Sequence, residues 1–116
     1  MSYLDTLKAR AEMVKEWRKH IHTLVKAIKK VLPSAEVYIF GSAITGKATA
    51  LSDIDILIIA SNLPKTNIER AQIKALIEDE AKLPYHHPFQ IHLTTKEEAR
   101  PYLRRAGKNI IKLKQP

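Results

Sequence analysis

The sequence predicts an α/β fold in which a small β-sheet carries helices packed mainly on one face. Two observations lead to this prediction. Segments with apolar residues at three- and four-residue steps alternate with short runs rich in isoleucine and valine, in the order helix, strand, loop, strand, helix, strand, helix. The chain of 116 residues, 45% of them hydrophobic, is long enough to bury a core, and we predict one domain over residues 1–116.

The first segment is predicted to be a single long amphipathic helix that Pro33 ends. Charged residues fill the face opposite its apolar stripe, which we expect to pack on the sheet. The length of the stripe leaves room for a second use as a dimer or partner surface, and Trp17 beside it is interpreted as a packing residue. The stripe consists of Leu4, Leu7, Ala11, Val14, Ile21, Val25, Ile28 and Leu32.

Two strands and a helix are predicted next. The runs 37–40 and 53–59 have the composition of buried strands, and a loop over 44–52 joins them. The following helix begins at a capping box, in which Thr66 stands three residues before Glu69, and it ends before Pro84. Its predicted apolar face contains Ile68, Ala71, Ala75, Leu76 and Ala81.

A third strand is predicted over residues 89–93. Because side chains alternate along a strand, Phe89, Ile91 and Leu93 fall on one face and Gln90 and His92 on the other.

A last helix is predicted after a second capping box at Thr95, and Pro101 predicts a kink or restart near Tyr102. The tail from Arg104 to Lys114 is basic. Its apolar residues are interpreted only as docking residues, and they are Ile110, Ile111 and Leu113.

The most informative segment runs from Gly41-Ser42 to Asp53-Ile54-Asp55. Side chains two apart on a strand point the same way, so both aspartates are expected to project together at the end of the sheet. Paired like charges favour a cation between them, and Mg²⁺ binds through one or two carboxylates together with substrate phosphates. Gly41 permits a close approach of the backbone to a ligand, and Ser42 at a helix start can hold a phosphate. This combination indicates chemistry on a nucleoside triphosphate.

The same segment closely resembles the motif of the DNA polymerase β-like nucleotidyltransferases, and the shortness of the chain resembles their minimal type. The likeness covers residues 37–59 well and extends more loosely to the end of the chain. It implies a mixed sheet, with Asp53 and Asp55 as the catalytic, metal-binding pair and Gly41 and Ser42 holding the β- and γ-phosphates. It also implies Mg²⁺ (or Mn²⁺) as the cofactor.

Two further residues enter the nucleotide-binding set. Lys47, in the loop, is within reach of a phosphate, although an exposed, mobile lysine is the alternative interpretation. Ser52, immediately before Asp53, recurs in the family pattern and is expected to steady the start of the strand.

The third strand departs from the family pattern. Active relatives commonly place a third acid there, on the face that looks at the aspartate pair, whereas the matching residues here are Gln90 and His92. Gln90 offers a metal only a neutral carbonyl and is no general base at neutral pH, so we interpret it as a weak ligand. His92 is able to take a proton. Slow catalysis, altered metal dependence or loss of activity are the expected consequences.

The resemblance implies transfer of a nucleoside monophosphate, as AMP from ATP, onto an acceptor hydroxyl with release of pyrophosphate. Relatives of this size often act beside a separate helical partner of the HEPN type in toxin–antitoxin pairs, where the transferase modifies and silences its partner. The acceptor is therefore predicted to be such a protein's tyrosine.

Three alternatives remain open. The first is a non-catalytic antitoxin or partner-binding protein that keeps the nucleotide pocket, which the missing acid favours. The second is a basic nucleic-acid-binding module, although only 6% of residues are aromatic. The third is a zinc site, but the spacing of His86, His87 and His92 matches no zinc motif, and His20 and His22 point to different faces of a helix.

Composition excludes several classes of protein. There are no cysteines, so a disulfide framework, a thiolate metal site and a thiol nucleophile are excluded. The net charge of +8 favours anionic partners. The N-terminus lacks a positive head followed by an apolar stretch, and no segment approaches membrane-spanning length. We therefore expect a cytoplasmic protein that does not enter membranes; its oligomeric state stays open, and a homo-oligomer is one alternative.

Overall fold

The computed structural model describes residues 2–114, which form a four-stranded mixed sheet and five helices. The strands are β1 (Glu36–Phe40), β2 (Ile54–Ile59), β3 (Phe89–Thr94) and β4 (Ile110–Leu113), and their spatial order is β3-β2-β1-β4. β1 runs antiparallel to both β2 and β4, whereas β2 and β3 are parallel. The predicted α/β fold with a small mixed sheet is therefore confirmed.

The prediction of one long first helix is wrong. Two helices, α1 (Tyr3–Lys15) and α2 (Trp17–Val31), meet at Glu16, whose φ of −108° and ψ of 29° leave the helical range. Neither proline nor glycine marks this point, so the apolar spacing carries no signal for it. Tertiary contacts accompany the change of direction: Trp17 becomes buried, and α1 reaches the segment that precedes β2.

α3 (Ser42–Thr45) is a single turn, and α4 (Asn67–Glu80) begins after Thr66, whose hydroxyl accepts a hydrogen bond from the Glu69 N–H. The Glu69 carboxylate accepts from the Thr66 hydroxyl instead of the Thr66 N–H, so only half of the predicted capping box forms. The predicted apolar face of α4 is largely wrong, because Ile68 and Leu76 are 74% and 57% exposed while Ile77 is fully buried. Apolar residues occur on more than one side of α4. The side with the larger isoleucine side chains turns inward because it buries more apolar surface in the core.

α5 (Lys96–Ala106) begins at the predicted capping box, in which Thr95 and Glu98 bond to each other's backbone N–H groups. The predicted restart near Tyr102 is wrong, since one helix continues through Pro101 to Ala106. A proline removes one helical hydrogen bond, and burial of Ala99 against the sheet accompanies the unbroken helix. The tail also differs from the prediction, because Ile110–Leu113 form β4, which pairs with β1.

The hydrophobic core lies on one face of the sheet. Alternate residues of β1, β2 and β3 point to this face, where α2 and α4 cover them. α5 lies on the opposite face, where the Tyr102 ring contacts Phe40 and His92. The fully or nearly fully buried side chains include Leu24, Ile28, Val37, Ile39, Ile54, Ile56, Ile58 and Ile77. Helices therefore pack mainly on one face, as the sequence predicts, and the opposite face carries Asp55 and His92 beside α5.

Candidate active site

Gly41 follows directly after β1. Its backbone has φ of 86° and ψ of −150°, a conformation that only glycine adopts readily. A Cβ atom placed on Gly41 would lie 2.7 Å from Oδ2 of Asp55. The absence of a side chain here therefore lets a carboxylate rest directly against the backbone. The Gly41 carbonyl accepts hydrogen bonds from the N–H groups of Ile44 and Thr45, which begins α3 at Ser42.

Asp55 lies inside β2, where Phe40 of β1 and Gln90 of β3 are its register partners. Residues opposite each other in a sheet point to the same face, so all three side chains leave the sheet on the side away from the core. Oδ1 of Asp55 lies 3.2 Å from Nε2 of His92, and the Asp55 side chain is 24% exposed. One carboxylate thus contacts both the Gly41 backbone and an imidazole.

Asp53 precedes β2 rather than belonging to it, so the predicted strand begins one residue later, at Ile54. Its Oδ1 accepts a hydrogen bond of 2.7 Å from Nη2 of Arg10, while Nη1 of Arg10 donates to the Ala50 carbonyl at 3.2 Å. The Asp53 side chain is 56% exposed. Sequence reasoning missed Arg10, because nothing in the apolar pattern of the first helix links it to a residue 43 positions away.

The loop before β2 contains the two remaining predicted nucleotide-binding residues. The Ser52 hydroxyl accepts a hydrogen bond of 2.8 Å from the Thr49 N–H, and the Ser52 N–H donates to the Thr49 carbonyl at 3.0 Å. Ser52 therefore closes a turn that leads into β2, in agreement with the role expected for it. Lys47 is exposed, and its N–H donates to the Ser42 carbonyl at 3.0 Å.

β3 brings the side chains of Gln90 and His92 to the same face as Asp55. The His92 ring lies 5.6 Å from the Phe40 ring and 5.1 Å from the Tyr102 ring, measured between centroids. Gln90 is exposed, and no side-chain hydrogen bond of Gln90 occurs within residues 2–114. Tyr102 is a site residue that sequence reasoning missed, because the proline beside it predicted a break in the helix.

A cavity of 470 Å³ opens on this face of the sheet. Asp55 and His92 line its floor together with Gly41, and Tyr102 and Arg105 of α5 form one wall. The Arg105 guanidinium lies 5.6 Å from the centroid of the Tyr102 ring, which is a cation–π distance. The cavity therefore combines one carboxylate with a cationic, aromatic wall, and this pattern suits a ligand that is both anionic and aromatic.

The donor atoms fit a divalent ion only in part. Within residues 2–114, no three side chains among His, Asp and Glu converge closely enough to form a metal cluster. Mg²⁺, however, is commonly held by one or two carboxylates and completed by substrate phosphates and water, rather than by a full set of protein ligands. The carboxylate resting on Gly41 fits that arrangement, whereas Asp53 is engaged by Arg10.

The histidines that precede β3 have a different role from His92. The Phe89 N–H donates to Nδ1 of His87 at 3.1 Å, which places the imidazole proton on Nε2, 2.5 Å from Oε2 of Glu78. His87 thus joins β3 to α4.

In the described part of the chain, no helix is long and apolar enough to cross a membrane.

Comparison with known proteins defines the class to which this fold and site belong. The family model described as "Nucleotidyltransferase domain" matches residues 21–113, and the chain belongs to this family. The match contains all four strands, the Gly41-Ser42 turn and both aspartates.

Solved structures share the fold. One, a candidate nucleotidyltransferase, is 28% identical with a TM-score of 0.59, over 77% of this chain and 91% of the other. A candidate nucleotidyltransferase from Sulfolobus solfataricus is 21% identical with a TM-score of 0.54, over 94% of this chain and 83% of the other.

Two further similar structures are toxin–antitoxin complexes. A chain of a complex with AMP-PNP is 21% identical with a TM-score of 0.56, over 81% of this chain and 72% of that one. A chain of the complex between tri-AMPylated Shewanella oneidensis HEPN toxin and MNT antitoxin is 19% identical with a TM-score of 0.53, over 85% and 72% of the two chains. The fold is thus that of the minimal nucleotidyltransferases, as the sequence resemblance indicates.

Proposed function

We propose that this protein is a divalent-metal-dependent nucleotidyltransferase that moves AMP from ATP onto an acceptor hydroxyl. The observation that carries the proposal is the contact between the Asp55 carboxylate and the side-chain-free backbone of Gly41. This contact puts a potential metal ligand beside the helix start that would hold phosphates. Membership of the nucleotidyltransferase domain family supports it.

One set of residues would bind the phosphates of the nucleotide, and another would bind the metal ion. Gly41 and Ser42 would hold the β- and γ-phosphates, with Lys47 as a further phosphate ligand. Asp53 and Asp55 would hold Mg²⁺ or Mn²⁺, which supplies charge stabilisation at the phosphates when it is bound. For Asp53 to do so, its carboxylate has to leave Arg10 or share its two oxygens between the guanidinium and the ion.

The transfer step itself is a single displacement. The acceptor oxygen forms a bond to the α-phosphorus, the bond from that phosphorus to the pyrophosphate oxygen breaks, and the hydroxyl proton is released to solvent. Asp55, whose carboxylate lies beside Gly41, would hold the divalent ion, which would supply positive charge at the phosphates.

The acceptor that we propose is a tyrosine hydroxyl on a helical partner of the HEPN type. Two similar structures support this proposal, because one is a toxin–antitoxin complex with AMP-PNP and the other contains an AMPylated HEPN toxin with an MNT antitoxin. The basic net charge of +8 is compatible with both ATP and an acidic partner surface.

The test uses α-³²P-labelled ATP, Mg²⁺ or Mn²⁺ and a helical protein of the HEPN type as the candidate acceptor. We expect label on the partner, and a fall of at least about a hundredfold in Asp53→Asn and Asp55→Asn, as is typical when a group that stabilises phosphoryl charge is removed. Asp79→Asn is the matched control, since Asp79 is an exposed carboxylate on α4. Transfer that persists in Asp55→Asn contradicts the proposal.

A second candidate is a non-catalytic antitoxin that binds its partner and keeps the nucleotide pocket. One observation favours it: Gln90 and His92 of β3 share a face with Asp55, and neither is a carboxylate. Tight partner binding by both wild type and Asp55→Asn, with no label transfer in any metal, would establish this alternative.

A further inference from the structure

We infer that Nε2 of His92 is a protein ligand of the divalent ion, and that this imidazole makes the site prefer Mn²⁺ to Mg²⁺. The inference rests on the proposed function, because it concerns the metal of the same site. It replaces Gln90, the ligand suggested by the sequence, with a different residue of the same strand and assigns a metal selectivity.

The first argument is the separation of the two donor atoms. Oδ1 of Asp55 and Nε2 of His92 lie 3.2 Å apart. Two ligand atoms that are each about 2.1 Å from one ion, and at right angles to each other, lie about 3.0 Å apart. The separation therefore fits a shared ion, provided that Nε2 carries no proton and that the lone pairs of both atoms turn from each other toward the ion.

The second argument is the fixed orientation of the ring. His92 packs between Phe40, at a centroid distance of 5.6 Å, and Tyr102, at 5.1 Å, and its side chain is 19% exposed. A ligand held by packing loses little freedom when a metal binds. Gln90, in contrast, is exposed and has no such packing, although it is the register partner of Asp55.

The third argument concerns the other aspartate. Asp53 is bound to Arg10 at 2.7 Å, so Asp55 and His92 are the two metal-ligating side chains already in contact with each other. Mg²⁺ favours oxygen ligands and accepts imidazole poorly, whereas first-row transition ions accept both carboxylate and imidazole. A site that offers one carboxylate and one imidazole is therefore expected to bind Mn²⁺ more tightly than Mg²⁺.

The decisive measurement is pulsed electron paramagnetic resonance of Mn²⁺ bound to the full-length protein with α,β-methylene ATP. Coordination by His92 predicts nitrogen modulation of the Mn²⁺ signal that changes from a ¹⁴N to a ¹⁵N pattern when the protein is labelled with ¹⁵N-histidine. The nucleotide carries only ¹⁴N in both samples, so its nitrogens contribute no such change. Bound Mn²⁺ without any isotope effect overturns the inference, and this test needs no variant.

Variants test the selectivity. Mn²⁺ affinity in His92→Glu and His92→Ala is followed by the signal of free Mn²⁺, and Mg²⁺ affinity by competition against bound Mn²⁺. We expect His92→Ala to weaken Mn²⁺ binding about tenfold or more, because removal of even outer-shell partners costs a metal site that much. His92→Glu should lower the ratio of Mn²⁺ to Mg²⁺ affinity by a similar factor. An unchanged ratio in His92→Glu overturns the inference.

His22→Gln is the matched control, since His22 is an exposed histidine of α2, and it should leave the isotope effect and both affinities unchanged. Thermal unfolding of each variant checks that the fold is retained.

Failure of the inference is distinguishable from failure of the proposed function. AMP transfer that depends on Asp55, together with bound Mn²⁺ that shows no histidine nitrogen, refutes only the metal assignment. Loss of the function shows instead as absent transfer in every metal.

Discussion

The guanidinium of Arg10 donates a hydrogen bond of 2.7 Å to the carboxylate of Asp53, and so connects the first helix to the first aspartate of the motif. Because Asp53 is 56% exposed, an ion pair of this kind contributes no more than about 1 kcal/mol to stability. The ion pair matters because it involves a carboxylate that is a candidate metal ligand. A positive side chain stands where a divalent ion would approach the Asp53 carboxylate, and the two compete for the same oxygens.

Substitution Arg10→Gln is therefore expected to tighten binding of Mg²⁺ or Mn²⁺. The loss of one competing charge should lower the dissociation constant by up to about fivefold, which corresponds to about 1 kcal/mol. Isothermal titration with the metal in the presence of α,β-methylene ATP measures this effect. Lys8→Gln removes the same charge from the exposed surface of α1 and serves as the control. Equal effects of the two substitutions would show that only net charge matters.

Substitution Gly41→Ala is expected to damage the site beyond its effect on stability. The backbone strain should cost about 1–3 kcal/mol in free energy of unfolding. The added Cβ also meets Oδ2 of Asp55 at 2.7 Å, so the carboxylate has to move, and Mn²⁺ affinity should fall about tenfold or more. Gly46→Ala is the matched control, because Gly46 has φ of 75° but no atom within 4 Å of an added Cβ. If Mn²⁺ affinity falls equally in both variants, strain rather than the carboxylate contact explains the loss.

Neighbouring residues of α4 are expected to differ strongly in their effect on stability. Ile77→Ala should lower the free energy of unfolding by about 2–5 kcal/mol, because it removes a fully buried side chain from the core. Leu76→Ala should change it by less than about 0.5 kcal/mol, because Leu76 is 57% exposed. Urea unfolding followed by circular dichroism measures both. The opposite order of effects would show that α4 packs with the face predicted from the sequence.

The capping box of α5 predicts a dependence of stability on pH. The hydrogen bond from the Thr95 N–H, followed by the contact with Arg70, lowers the pKa of Glu98 from its usual 4.5. A carboxyl group with a lowered pKa in the folded state stabilises the fold above its unfolded pKa. That contribution is lost as the pH falls through the lower, folded value.

Glu98→Gln should consequently be less stable than wild type at pH 6, and the difference should shrink as the pH falls below about 4.5. Chemical unfolding at a series of pH values measures it. Glu97→Gln, in the same helical turn, gives the contribution of the charge alone. A difference between wild type and Glu98→Gln that does not change with pH would refute the role assigned to the carboxylate.

The sequence allows the central part of the fold and site to be predicted because its signals there are local. The isoleucine-rich run identifies β2, the alternation in β3 assigns Phe89 and His92 to opposite faces, and both caps depend on residues three positions apart. The position of Asp55 beside Gly41 follows from the motif and its spacing.

The features that the sequence does not reveal depend on distant contacts. β4 is a short edge strand, and only pairing with β1 distinguishes it from a basic tail. The break at Glu16 lacks a helix-breaking residue, and the contact between Arg10 and Asp53 joins residues 43 positions apart. The sequence does not reveal which side of α4 faces the core, because apolar residues form more than one stripe along this helix. Packing against the rest of the core determines which stripe is buried.

The place of β4 in the sheet affects how the protein emerges from the ribosome. β1 is translated well before β4, which covers its second hydrogen-bonding edge, and Asn109 just before β4 lines the cavity. Until β4 has been translated, the edge of β1 next to Gly41 has no partner strand, and an unpaired strand edge is a risk for aggregation. The cavity that Asn109 lines is therefore complete only after the residues of β4 have left the ribosome and paired with β1.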